Sequence, residues 1–164
     1  MEDLYEIKEK DFSIIDRELE VHLVGELGME EKAFFAGGAV RSICYRKDGR
    51  LHGPSRFYSE KGALLSESWY FDGNIEGKVH RYYPSGQLYA IERYVGGKAH
   101  LTHEFYYIDG TCKTVIRYCK GELNGETELF WPDGRPKRCT QFVHGEPEGP
   151  GKIFNEDGVL IAEA

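Results

Sequence analysis

The residues best suited to chemistry in this sequence are six histidines and four cysteines. They are His22, His52, His80, His100, His103 and His144, with Cys44, Cys112, Cys119 and Cys139. Imidazole and thiolate are the usual zinc ligands, and His100 and His103 sit one strand before Cys112 and Cys119. Their spacing matches no zinc pattern, however, and no Cys-x-x-Cys pair occurs. Nucleophilic catalysis needs a base held beside a nucleophile. No Gly-x-Ser-x-Gly turn is present, and no His/Asp pair stands apart from its surroundings. Glu126 and Glu128 alternate onto one strand face, where they read as solvated sheet charges. Gly96-Gly97 and Gly149-Pro150-Gly151 lack the Gly-Lys-Ser/Thr of a phosphate loop. An enzyme is therefore not expected, and neither is a cofactor, a bound metal or a disulfide.

The elements that position these residues are set by a repeat. Three glycine combs run at a spacing of 24: Gly25, Gly49, Gly73, Gly97, Gly121, Gly145; Gly53, Gly77, Gly125, Gly149; and Gly38, Gly62, Gly86, Gly110, Gly134, Gly158. Sixteen of the 20 glycines fall on them, with Leu101 standing where the second comb would place a glycine. Aromatics keep the same step, as Phe34, Tyr58, Tyr82, Tyr106, Phe130, Phe154 and as Tyr70, Tyr94, Tyr118, Phe142.

One unit reads from a turn at Asp72–Gly77 into a strand at 78–83. A second turn at Pro84-Ser85-Gly86 leads to a longer strand at 87–95. Glycine closing each turn supplies the positive φ a tight hairpin needs. A lone hairpin is marginal in water, so stacked units must bury a shared stripe. Alternation predicts Tyr82, Leu88, Tyr94 and Tyr106 in that stripe, well buried, with Leu88, Ala90 and Tyr94 on one face. The expectation is all-β: an open, solenoid-like twisted antiparallel sheet of about six 24-residue hairpins over residues 25–164, with about 11 or 12 strands. The Leu-x-x-Leu-x-Leu pattern of leucine-rich repeats is absent, and six hairpins make too few blades for a propeller. Residues 1–24 differ. Leu4, Ile7, Phe12, Ile15 and Leu19 recur at near-helical spacing, and Glu18–Val24 reads as a strand, so this segment is assigned as an N-terminal cap.

The unit DGNIEGKVHRYYPSGQLYAIERYV resembles the MORN repeat, in the bacterial variant found in MORN-repeat antitoxin-like proteins. Gly73, Gly77, Tyr82, Tyr83, Gly86, Leu88 and Tyr94 carry the resemblance. It covers 49–164 strongly, 25–48 weakly and 1–24 not at all. The resemblance implies a single twisted sheet used for protein association or scaffolding, with antitoxin activity in some bacterial members and lipid contact in some eukaryotic ones. It carries over no catalytic residue.

Charge narrows the partners. The chain has a net charge of -7, yet residues 49–164 hold 16 acidic and 14 basic side chains, so the repeats are near neutral. No basic face is evident, and neither nucleic acid nor an anionic membrane is expected as partner. With no apolar run of membrane length, no signal-like start and unpaired cysteines, a cytoplasmic protein is expected. Edge strands offer a route to homo-oligomers.

The off-comb aromatics remain to be explained. Trp69, Phe71, Tyr83, Tyr89, Phe105, Tyr107 and Trp131 change from unit to unit, whereas the stripe does not. Large aromatics on a solvated face mark an interaction site unless a second core covers them. These seven are the candidate partner-binding residues of a non-enzymatic protein-interaction or scaffold module. The alternative is a binder of a small ligand, carbohydrate or lipid, or an enzyme using the aromatics as a substrate platform.

Overall fold

A computed structural model describes residues 28–164, and the expected cap at 1–24 lies outside the described residues. Glycine-closed turns and alternating strands produce what their spacing demands. The strands are β1 (Met29–Phe34), β2 (Val40–Lys47), β3 (Arg50–Leu51), β4 (Gly53–Tyr58), β5 (Leu64–Phe71), β6 (Asn74–Tyr82), β7 (Leu88–Val95) and β8 (Lys98–Ala99). They continue as β9 (Leu101–Tyr106), β10 (Cys112–Cys119), β11 (Glu122–Leu123), β12 (Gly125–Phe130), β13 (Pro136–Val143), β14 (Glu146–Pro147), β15 (Lys152–Phe154) and β16 (Leu160–Glu163). All belong to one open antiparallel sheet. Twelve follow each other in chain order across it, and the two-residue strands β3, β8, β11 and β14 hang off that path. The twelve make six hairpins, and no helix occurs among the described residues.

Two kinds of turn alternate. Within a hairpin, the glycine at the turn adopts positive φ, as at Gly86 (96°) and Gly134 (85°). Between hairpins, two successive residues take positive φ: Asp72 and Gly73, Gly96 and Gly97, Lys120 and Gly121, His144 and Gly145. That is the two-residue turn whose twist suits antiparallel strands. Leu101, the one departure from the second glycine comb, still adopts φ 59°. The repeat imposes its backbone even where the side chain resists it.

Each hairpin carries one β-bulge, and this corrects the expected faces. Tyr82 lies opposite Leu88 and Arg81 opposite Ala90, so Tyr89 is the extra residue. Side chains directly opposite each other share a face. Leu88 therefore joins Tyr82, while Ala90 and Tyr94 point the other way. Equivalent shifts occur in every hairpin. Simple alternation from Leu88 to Tyr94 misses the one-residue slip that a bulge introduces.

The core is correspondingly thin. Among the described residues, few apolar side chains are fully buried: Val79 and Ala90, at 1% and 0% exposure, with Pro54. Tyr82, Leu88, Tyr94 and Tyr106, expected to be well buried, are each half-buried. A single layer buries its side chains only against neighbours on the same face, so complete burial is rare. Buried polar groups fill much of the interior instead: His52, Ser55, Ser68, Arg93, His100, His103 and Thr140.

Candidate interaction face

The register divides the seven candidate aromatics between two faces. Phe105 lies opposite Ala90 and Thr114, which places it on the Ala90 face. Tyr89 packs edge-on to Phe105 at 6.0 Å and to Tyr83 at 5.2 Å, joining both to that face. Tyr107 and Trp131 follow two residues after Phe105 and Leu129, and alternation keeps them there; Leu129 is set by its pairing with Thr114. Trp69 and Phe71 lie opposite Glu76 and Asn74 and point to the other face. Phe71 instead packs against His52, ring centres 5.1 Å apart.

The aromatic row has a structural part that sequence variation conceals. The Tyr83 hydroxyl donates to the carbonyl of Tyr106 at 2.8 Å, and the Tyr107 hydroxyl to that of Phe130 at 2.9 Å. Each tyrosine thus tethers its hairpin to the next. Trp131 occupies the following step, and its buried indole N–H makes no such bond. The bulged residue of each hairpin then covers its ring. Tyr89 meets Tyr83, Lys113 Nζ stands 5.6 Å from the Tyr107 ring centre, and Lys137 Nζ stands 4.2 Å from that of Trp131.

Farther along the same face, buried His103 sits between Tyr94 and Tyr118, at 5.3 and 4.7 Å between ring centres. Its Nε2 bonds the carbonyl of Arg93 at 2.8 Å. Burial pushes the His103 pKa down, against the opposing pull of that bond. The opposite face holds ion pairs: Arg56–Glu67 at 2.5 Å within a hairpin, and Arg93–Glu104 at 3.1 Å and Arg117–Glu128 at 3.0 Å between neighbouring hairpins.

Among the described residues, the histidines and cysteines do not converge. His100 bonds the Lys120 backbone and His103 the Arg93 carbonyl, while Cys112 lies opposite Tyr106 on the other face. Among the described residues, no group of three or more His, Cys, Asp or Glu side chains could hold a metal. Cys139 donates to the Glu126 carboxylate, and burial together with that bond pushes its pKa up to about 11. Burial also raises the thiols of Cys44 and Cys112. Thiols held protonated are poor nucleophiles. Two shallow depressions, about 230 and 200 Å³, lie around Cys139 and His52. Both fall below the roughly 300 Å³ at which ligand pockets begin, and neither includes Tyr83, Tyr89, Phe105, Tyr107 or Trp131.

This geometry defines an open hairpin-repeat array with an asymmetric pair of faces. Residues 75–95, from β6 through the end of β7, match the family described as MORN repeat variant. That segment is one full hairpin, and the glycine and aromatic combs carry its frame through the other units. No curated protein matches the chain. Solved structures similar to it include accessory secretory protein 1, 2 and 3 of Streptococcus pneumoniae, at 18% identity and TM-score 0.37 over 61% of this chain and 18% of that one. Another is the Glycosylation Associate Protein (Gap123) complex of Streptococcus agalactiae, at 16% identity and TM-score 0.38, covering 65% and 20%. TarM, whose G117R mutant is described as that of S. aureus, matches at 11% identity and TM-score 0.39, covering 85% and 26%. The chain spans about a quarter or less of the length of these proteins. No helix among the described residues is long and apolar enough to cross a membrane.

Proposed function

We propose that the chain is a non-enzymatic interaction module that binds a protein partner through the face bearing Tyr83, Tyr89, Phe105, Tyr107 and Trp131. One observation carries this reading. Five half-buried aromatics converge on one side of a single-layer sheet, and among the described residues no second layer packs over them. A one-layer sheet gains little from aromatics on a face it leaves open. A partner that covers them gains the area-rich, rigid anchors on which interfaces depend. Trp69 and Phe71, on the reverse face, drop out of the anchor set. An antitoxin, which acts by covering its partner, is one instance of this class. Four free cysteines suit a reducing, cytoplasmic setting.

The test uses the two tryptophans as opposite-face controls. Trp131→Ala and Trp69→Ala are compared for thermal stability and for recovery of the native partner on the immobilised protein. Loss of recovery with Trp131→Ala alone, at near-native stability, is the expected result. Loss with Trp69→Ala alone would move the site to the other face. A loss of several kcal/mol in stability with Trp131→Ala would make that residue core.

A further inference from the structure

Charge is sorted between the faces more strictly than the near-neutral composition suggests. From Leu101 onward, the twelve-strand path carries four carboxylates: Glu104, Glu126, Glu128 and Glu163. Their partners across the sheet are Val115 for Glu104 and Glu128, Gln141 for Glu126, and Lys152 for Glu163. All four therefore sit opposite the aromatic face. That face carries Lys113, Lys137 and Arg138 in the same stretch, with Arg138 fixed by its pairing to Leu129 and Ile153. None of the three cations has a carboxylate within 4.0 Å among the described residues. Two of them rest on rings instead, Lys113 over Tyr107 and Lys137 over Trp131. The nearest turn carboxylates are occupied: Asp109 accepts the Thr111 N–H at 2.8 Å, and Asp133 the Arg135 N–H at 3.0 Å.

The spacing of these groups selects a ligand shape. Lys113 and Lys137 are one hairpin apart, as are Tyr107 and Trp131. Two strand spacings make that step about 9.6 Å. A polyproline II peptide advances about 9.3 Å per turn of three residues, and every third side chain returns to the same side. An added β-strand would turn its i and i+3 side chains to opposite faces. A helix would need about two turns to cover the same step. Proline rings also suit flat aromatic surfaces, and the peptide is already extended before it binds.

Resting on the protein-binding reading above, we propose that the Tyr107–Trp131 half of this face recognises an acidic peptide in the polyproline II conformation. A carboxylate at every third residue meets Lys113 and Lys137 in turn, while the prolines between them lie on Tyr107 and Trp131. Toward β6–β7 the lysine of each hairpin is replaced by Tyr89, so the peptide there carries an apolar residue against Tyr83 and Tyr89. The net charge of -7 does not oppose this. Exposed charges beyond about 8–10 Å are largely screened at physiological salt, and Lys113, Lys137 and Arg138 are the strand charges on this face from Leu101 onward.

Fluorescence anisotropy of a labelled (Pro-Pro-Glu)4 peptide tests the proposal on the full chain. Saturable binding that weakens at least tenfold in Lys113→Glu/Lys137→Glu, and weakens with added salt, is the expected result. Both lysines are exposed, and an unchanged thermal melt will confirm that the variant folds. (Pro-Pro-Lys)4 should not bind. Equal binding of a (Gly-Gly-Glu)4 peptide would overturn the conformational part, and no binding of (Pro-Pro-Glu)4 would overturn the whole. So would lysine-dependent binding of oligo-dT or of phosphatidylserine vesicles in its place. If the peptide fails while Trp131→Ala still abolishes recovery of the native partner, the face survives as a protein interface and only the ligand class falls. If both fail, both readings fall.

Discussion

The backbone N–H of Lys120 donates to Nδ1 of His100, 3.1 Å away and twenty residues earlier in the chain. The same staple joins Asp72 to His52 at 3.2 Å, Gly96 to Glu76 Oε1 at 2.7 Å, and His144 to Asn124 Oδ1 at 3.4 Å. Beside each runs a backbone bond, from Gly73 to Leu51, Gly97 to Ile75, Gly121 to Ala99 and Gly145 to Leu123. Each junction turn is thus held to the junction before it by one side chain and one backbone bond. In a sheet with so little apolar core, these staples couple neighbouring repeats.

His100→Ala should therefore cost about 1–3 kcal/mol, because the Lys120 N–H loses its acceptor in a half-buried site. His100→Asn should cost less, since Asn124 does this job one repeat later. Urea denaturation of both variants measures the difference. Equal losses would show that the imidazole contributes packing rather than a hydrogen bond.

Two buried histidines give the fold an acid dependence. Burial, then the Lys120 charge, lowers the pKa of His100, and burial lowers that of His103. The unfolded chain then binds more protons than the folded one once pH falls below about 6.5. Stability is full above that pH and is lost as pH drops toward the folded values. The slope is at most about 1.4 kcal/mol per pH unit for each histidine. Denaturation midpoints from pH 7.5 to 5 should fall, and should fall less steeply in His103→Gln. A flat profile would place both rings in contact with solvent.

The repeat, its period, the turn positions and the open sheet were legible in sequence because glycine is favoured where φ is positive. Faces were not, because a bulge adds one residue without a sequence mark. Tyr89, Lys113 and Lys137 share that bulge position and nothing else. Hence Trp69 and Phe71 were grouped with aromatics they do not face. The charge sorting was hidden for the same reason, since a count of acids and bases averages both sides. The staples do have a signal: His52, Glu76, His100 and Asn124 form a further comb of side chains that accept a hydrogen bond. Three different residue types mask it.

Junction turns should be open to improvement. Lys120 holds φ 52° in an exposed two-residue turn ahead of Gly121. Asparagine tolerates that conformation better and is favoured before glycine in such turns. Lys120→Asn should raise stability by about 0.5–1 kcal/mol, the scale of relieving left-handed strain. A thermal melt at pH 7.5, where His100 is neutral in both proteins, reads the effect. A lower midpoint would mean that the lysine charge or stem is used elsewhere.

Gly125 resists replacement on two counts, backbone and packing. Its φ is 106°, beyond the left-handed helical region that Leu101 occupies at 59° in the equivalent position. A Cβ there would lie 3.2 Å from Arg117 Cδ and 3.3 Å from its Cβ. Arg117 cannot move aside freely. It donates to the Glu126 carbonyl at 2.6 Å and to Glu128 Oε2 at 3.0 Å, the ion pair that joins this hairpin to the one before. Gly86, at φ 96°, shares the backbone constraint but has nothing within 4 Å of an added Cβ. Gly86→Ala should thus cost the conformational strain alone, about 1–3 kcal/mol. Gly125→Ala should cost that and roughly 1 kcal/mol more for displaced packing. Adding Arg117→Ala to Gly125→Ala should recover the extra part, since the obstructing side chain is gone. Chemical denaturation of these three variants, with Arg117→Ala as the second single variant, closes the cycle. A Gly125→Ala loss no larger than that of Gly86→Ala would show that Arg117 yields without cost, and that the ion pair does not fix its position.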